Sequence, residues 1–355
     1  MDLEELLKLQ QKIIPEGIEL LERRYIILRN IYYSQPVGRR LLSRNLNLSE
    51  RIIRTEVNFL KEQGFIEINA PGMIITKLGE EVISKLKEFV YMIKGLSALE
   101  NRIKERLGLK RVIIVPGDVE EDSSVLKELG KAASNCFKDL LKNGNIVALT
   151  GGSTIKSFVD NVVKCNNHQD ITIVPARGGM GKRLETQSNT LVSNLAIKCN
   201  WNYRLLHVPD NLRAEAAKII MKEKDVIEVM NIIEDADILI YGIGRADEMA
   251  KRRGMSKENI VKLLEKGALG EAFGHYFNKN GEIVYSTSTM GIKNEKVENI
   301  ENIIAVAGGA SKAEAIIATQ LNKSNGILIT DEGASKSILN ILDILWLVIQ
   351  KHKRF

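Results

Sequence analysis

Residues 145–159 read NIVALTGGSTIKSFV, and the reading of the fold starts from them. Ile146 to Leu149 is a short apolar run, of the kind that forms a parallel strand buried on both faces. Thr150, Gly151, Gly152, Ser153 and Thr154 are small or hydrogen-bonding, and Ile155, Phe158, Val159, Val162 and Val163 then recur at helical spacing. The first N–H groups of a helix have no partner within it, and the helix dipole favours negative charge there. A strand that turns through glycine into a helix is therefore built to hold an anion. An ordinary βα turn carries the same pattern, so this stretch alone leaves both readings open.

Length and composition set the frame. A chain of 355 residues, 44% hydrophobic, is long enough for two domains, each with its own core. The net charge of +6 permits a polyanionic partner without requiring one. Cys136, Cys165 and Cys199 are odd in number and widely spaced, which fits neither a disulfide framework nor a zinc site and points to free thiols in a reducing compartment. No metal site and no cofactor are expected. The opening MDLEELLKL is acidic and amphipathic, with no basic stretch before an apolar one. No run reaches the roughly 18 apolar residues of a membrane span. The expectation is a cytoplasmic, soluble protein with no membrane partner.

The first hundred residues predict three short helices and a hairpin. Residues 16–33 place Ile18, Leu21, Tyr25, Leu28 and Tyr32 on one helical face, and Gln35-Pro36 breaks that helix. Residues 37–45 form a second helix. Ser49 caps a third over 50–63, with Ile53, Val57 and Leu60 inward and Gly64 ending it. Residues 65–68 and 73–76 are strands around an Asn-Ala-Pro-Gly turn. This is the layout of a winged helix-turn-helix. On that reading Arg51, Arg54, Thr55 and Asn58 face outward from the third helix into a DNA groove, where Arg reads guanine and Asn reads adenine. Arg39, Arg40 and Arg44 then meet phosphates. The alternative is a protein-interaction domain whose arginines form a solvated face. Residues 79–107 are helical and break near Gly95. Their stripe of Leu86, Val90, Ile93, Leu96, Leu99 and Ile103 either pairs with a second subunit or packs on its own chain. Residues 1–14 form a further amphipathic helix. The expected division is 1–78 for DNA binding, 79–108 as linker and dimerisation helix, and 109–355 for an effector.

From Leu109 strands and helices alternate. Strands are expected at 112–115, 146–149, 171–174, 203–208, 238–241, 303–307 and 327–330, with helices at 123–142, 185–200, 211–222, 257–266, 311–322 and 335–350. The fold class is α/β, a doubly wound, mostly parallel sheet whose ligands bind beyond the carboxyl ends of the strands. Four of those ends carry glycines: Thr150 to Thr154, Pro175-Ala176-Arg177-Gly178-Gly179-Met180-Gly181, Gly242-Ile243-Gly244-Arg245-Ala246-Asp247 and Gly308-Gly309-Ala310-Ser311-Lys312. Three of the four add a cation, and Arg252 and Arg253 follow the third. Gathered on one edge, they would make a basket of N–H groups and cations suited to a phosphorylated small molecule. No Walker loop and no complete dinucleotide fingerprint is present. Glu271, after Gly267-Ala268-Leu269-Gly270, either accepts sugar hydroxyls or is an exposed loop carboxylate. Asp247 and Glu248 are either a general-base pair or helix N-terminal charges. His275 stands near Glu271, whereas His168 and His207 are scattered.

A winged helix-turn-helix followed by TGGST, PARGGMG, GIGRADEMAKRRG, GALGEAFGHYF and AGGASK resembles the SorC/DeoR-type sugar-binding transcriptional regulators, and within them the branch governing central glycolytic genes. The resemblance spans nearly the whole chain. It implies an effector domain of the sugar-phosphate isomerase and deaminase fold, a homo-oligomer (dimer or tetramer) on operator DNA, and a sugar-phosphate effector, fructose-1,6-bisphosphate in that branch. Gly151 opens the glycine turn. The resemblance implies that Gly152, Ser153 and Thr154 hold one phosphate, that Arg177 and Lys312 add charge with Gln187 nearby, that Arg252 binds the second phosphate and that Glu271 meets the hydroxyls. A repressor responding to a sugar phosphate is the expectation. An active isomerase or deaminase carrying a nucleic-acid-binding appendage is the alternative, with Asp247 or Glu271 as its acid–base residue.

Overall fold

The chain divides into two units, residues 1–99 with 116–125 and residues 100–115 with 126–355, so that it passes between units at 99/100, 115/116 and 125/126. The computed structural model describes all residues except 1–8, 10–11, 165–168, 180–182, 210–213, 288–289, 322 and 353–355, and only the backbone at 214, 294 and 345–352. Most of the N-terminal amphipathic helix, Cys165, His168, Met180-Gly181 and the start of the helix expected at 211 thus lie outside the described residues.

In the first unit α1 (Pro15–Ser34) begins on a proline, whose missing N–H costs nothing at that position, and stops before Gln35-Pro36. Helix α2 (Arg39–Leu46) ends where Asn47 turns left-handed, at φ 50°. Helix α3 (Glu50–Glu62) starts at Ser49, whose side chain accepts the Ile52 N–H at 3.3 Å. Strands β1 (Ile66–Asn69) and β2 (Gly72–Ile75) pair antiparallel, with Ile66 opposite Ile75. Tyr25, Leu28 and Ile31 of α1 bury against Leu42, Ile53, Val57 and Leu60, which fixes the outward face of α3 by exclusion. Arg24 bonds Glu56 at 2.8 Å and lies over the Phe59 ring, tying α1 to α3.

Helix α4 (Lys77–Ile93) is capped by Thr76 and separated from α5 (Leu96–Leu107) by Gly95 at φ 58°. Val90, Ile93, Leu96 and Ile103 are buried within the single chain, so most of the apolar stripe packs on its own chain. A buried polar network closes the unit. Arg29 bonds Asp122 at 2.6 Å and the Pro116 carbonyl at 3.0 Å, while Asn30 donates to Asp122 at 2.8 Å.

The second unit carries seven parallel strands in the order β3-β13-β12-β7-β4-β5-β6. They are β3 (Arg111–Val115), β4 (Ile146–Leu149), β5 (Thr172–Pro175), β6 (Asn202–Tyr203), β7 (Ile238–Gly242), β12 (Asn302–Val306) and β13 (Gly326–Asp331). From β4 the chain steps outward to β5 and β6. It returns to β7 beside β4 and then steps the other way. Right-handed crossovers stepping in opposite directions place helices on opposite faces, as in a doubly wound fold, with the switch point between β4 and β7. The helices of this sequence are α6 (Val125–Leu140), α7 (Ser153–Asn161), α8 (Ser188–Cys199), α9 (Ala214–Ile220), α10 (Lys224–Glu234), α11 (Ala246–Arg252), α12 (Lys257–Glu265), α13 (Asn294–Val297), α14 (Ala313–Gln320) and α15 (Glu332–His352).

Three features depart from the sequence reading. Residues 203–208 contribute only the two-residue β6, and Lys224–Glu234 adds a helix that was not expected. The stretch holding Glu271 is not a loop. It belongs to a second sheet, β11-β10-β9-β8, made of β8 (Gly244–Arg245), β9 (Gly270–Ala272), β10 (His275–Phe277) and β11 (Ile283–Ser286). Phe273 (φ 38°) and Gly274 (φ 93°) form the two-residue turn between β9 and β10.

Candidate functional site

The carboxyl ends of β4 and β7, the switch point, open into a cavity of about 540 Å³. All nine effector residues expected from the sequence line it: Gly151, Gly152, Ser153, Thr154, Arg177, Gln187, Arg252, Glu271 and Lys312. They arrive on separate segments: the β4–α7 turn, the loop after β5, the start of α8, the end of α11, strand β9 and the turn after β12.

The glycine turn is built for close approach. Gly152 sits at φ 114°, which side-chain-bearing residues rarely adopt, and a Cβ on Gly151 would lie 2.5 Å from the Thr186 carbonyl. One detail differs from the simplest anion cradle. The Gly152 N–H donates to the Thr186 carbonyl at 2.9 Å, so it serves the turn. The donors left for an anion are the N–H groups of the first turn of α7, from Ser153 onward.

Arg177 is buried, with its carbonyl accepting the Ser188 hydroxyl at 2.9 Å and its neighbour Gly178 donating to the Met290 carbonyl. Arg252 is exposed on the cavity lining, at the carboxyl end of α11, where the helix dipole favours cations.

Glu271 is 3% exposed, so it is not an exposed loop carboxylate. Its Oε1 accepts from Arg253 Nη2 at 2.6 Å, Gly274 N at 2.7 Å and Arg177 Nη1 at 3.4 Å. Burial alone would push its carboxyl up. Arg177 and Arg253, helped by the hydrogen bonds from Arg253 and Gly274, outweigh burial and hold it below the ordinary value. Glu271 is thereby an ionised, acceptor-only group facing a cavity otherwise rich in donors.

The remaining candidates separate. Asp247 pairs with Arg245 at 3.1 Å in the first turn of α11 and is absent from the cavity lining, whereas Glu248 lines it. His275 turns its Nδ1 to the Ser286 hydroxyl at 2.8 Å, and burial lowers its basicity. The sequence reading missed Arg183, Met249 and Phe273 on the lining, and it left Arg253 without a role. Arg253 was legible as the neighbour of Arg252. Phe273 gave no signal, because only the hairpin turn brings it to the cavity, against Tyr241 at 4.7 Å. Among the described residues no group of side chains is arranged to hold a metal ion, and no helix is long and apolar enough to cross a membrane.

In the first unit, Arg39, Arg40, Arg44, Arg51, Arg54, Thr55 and Asn58 are all exposed. Arg39 reaches Asn58 at 3.4 Å across α2 and α3. Arg40 and Arg44 line a groove with Ser49 and Glu50 at the start of α3.

Two family models match different parts of the chain. A family model for a sugar-binding domain matches residues 91–340, and one for the CggR N-terminal DNA binding domain matches residues 20–90. The chain is 42% identical to the central glycolytic genes regulator of Bacillus subtilis over 94% of this chain and 98% of that one. It is 41% identical to the protein of the same description from Priestia megaterium, over the same shares. Among solved structures, a SorC family regulator from Enterococcus faecalis matches with a TM-score of 0.64 at 35% identity, covering 68% of this chain and 99% of that one. The full-length sorbitol operon regulator SorC from Klebsiella pneumoniae shares the fold, with a TM-score of 0.62 at 20% identity over 91% of this chain and 99% of that one. These relatives are transcriptional regulators rather than enzymes, and the chain belongs to the SorC family of sugar-binding transcriptional regulators, alongside the central glycolytic genes regulators.

Proposed function

We propose that the chain is a repressor of central glycolytic genes whose grip on its operator is modulated by fructose-1,6-bisphosphate or a closely related sugar phosphate. The observation that carries this reading is the convergence of nine residues, with donors, cations and one ionised carboxylate among them, on one cavity at the switch point. A volume of about 540 Å³ suits a small molecule. One phosphate is held by Ser153 and Thr154 at the start of α7, with Gly151 and Gly152 allowing its approach and Arg177, Lys312 and Gln187 beside it. Arg252 holds the second phosphate, and Glu271 accepts the hydroxyls between them. Arg51, Arg54, Thr55 and Asn58 read the operator while Arg39, Arg40 and Arg44 meet its backbone. In this reading residues 1–78 bind DNA, 79–108 link, and 109–355 bind the effector and assemble a dimer or tetramer in the cytoplasm.

The test separates the two sites. Arg54→Ala weakens operator binding in a gel-retardation assay and leaves sugar-phosphate affinity by calorimetry unchanged. Arg252→Ala does the reverse, keeping the operator and losing the response to ligand. If both folded variants lose both activities, the two-site reading fails. A thermal-shift panel of glycolytic phosphates ranks the effector, since a ligand bound only by the folded state raises its melting temperature.

A further inference from the structure

We infer that Arg253 is the positioning residue that sets the effector's hydroxyl selectivity, by holding the Glu271 carboxylate so that Oε2 alone is left to accept from the ligand. The inference rests on the sugar-phosphate reading above and assigns a role to an arginine that reading does not use.

Arg252 and Arg253 are neighbours with opposite tasks. Arg252 is exposed and lines the cavity. The side chain of Arg253 is only 2% exposed, is not part of the lining, and reaches Glu271 Oε1 at 2.6 Å. Gly274 N–H and Arg177 Nη1 bond that same oxygen, so among the described residues the hydrogen bonds to Glu271 end on Oε1. Three donors arriving from the residue after α11, the β9–β10 turn and the β5 loop fix the plane of the carboxylate. Such over-determination locks a recognition group in one geometry, as preorganised binding requires.

The chemical consequence is selectivity for a hydroxyl. A phosphate-bearing ligand that lacks hydroxyls covers Oε2 on the cavity side without giving it a donor, and an acceptor buried unpaired in this way is penalised. The groups facing Glu271 are Arg177 from the β5 loop, Arg253 just after α11, and His275 and Tyr276 from β10. Burial lowers His275 from 6.5 and pushes Tyr276 up to about 12, so neither gains charge between pH 6.5 and 8. Arg253 is thus a main support for the ionised state of Glu271 in that window.

The experiment is calorimetry on the full-length protein with fructose-1,6-bisphosphate and, as the hydroxyl-free probe, 1,5-pentanediol bisphosphate, between pH 6.5 and 8. The wild type prefers the sugar, and its pH dependence follows ligand phosphate ionisation, with a second pKa near 6. Arg253→Met loses affinity for the sugar by about 10- to 100-fold and for the diol bisphosphate far less, compressing the preference. It also gains an acid-side loss of sugar binding as Glu271 takes up a proton. Adding Glu271→Gln to Arg253→Met abolishes that extra pH dependence. Arg253→Lys keeps the charge without the planar fork; its selectivity falls between the two and its pH profile stays wild-type, which a merely structural role would not produce. It carries the same test if the methionine variant does not fold. Wild-type affinity, selectivity and pH profile in folded Arg253 variants overturn the inference and leave the sugar-phosphate reading standing. A wild type that binds no sugar phosphate overturns that reading itself.

Discussion

Glu271 shows how one buried carboxylate is made tolerable and useful. It is 3% exposed, and the charge survives because Arg253 and Arg177 face it and Gly274 donates to it. Its proton affinity is lower in the folded chain than the value of 4.5 for a free side chain. The unfolded state therefore binds the proton more readily as pH falls. The stability Glu271 contributes is complete above pH 4.5 and drains away below it, as pH falls through the folded value. Glu271→Gln is expected to destabilise the protein at pH 7 by about 3–5 kcal/mol, because two buried guanidinium groups lose their counter-charge. The variant's melting temperature should also fall less steeply than that of the wild type below pH 4.5. Thermal unfolding across pH 3 to 7 measures both effects.

The elements divide by how loudly the sequence announces them. Strands β4, β7, β12 and β13 are four- to six-residue apolar runs, and burial on both faces makes such runs stand out. Helices α1 to α3 show clean apolar spacing, and Ser49 and Gly64 mark the two ends of α3 in the text itself. The β8–β11 sheet is silent by comparison. Its strands are two to four residues long, too short for alternation to register, and β9 reads GEA. Glu271 was legible as a candidate through the glycines before it and the family motif. Its burial was not, because burial is conferred by Arg177 and Arg253 from elsewhere in the chain. The Ser49 cap is a test at this scale. Ser49→Ala removes the acceptor of the Ile52 N–H and is expected to cost about 1 kcal/mol of stability. The loss falls on the start of α3 and is read as a lower urea midpoint with an unchanged slope.

For the molecule as a whole, one chain carries a DNA-binding domain and a sugar-binding domain, and linkage makes their coupling mutual. If the sugar phosphate weakens operator binding by a given factor, the operator weakens sugar-phosphate binding by that same factor. Calorimetric titration of the ligand with and without operator DNA checks this, and unequal factors would mean the two measurements do not share one equilibrium. The network around Asp122 sets a second expectation. Asp122→Ala leaves Arg29, 1% exposed, without its carboxylate and is expected to cost about 3–5 kcal/mol. The variant would lose operator binding on warming well before the wild type does. The same contact governs where the protein can be cut. An excised DNA reader ending at residue 99 would deprive the buried Arg29 guanidinium of Asp122 and the Pro116 carbonyl, which come from farther along the chain. Anyone wanting that half as a free-standing reagent should splice residues 116–125 back in, or trade Arg29 for a neutral, similarly sized side chain such as Met.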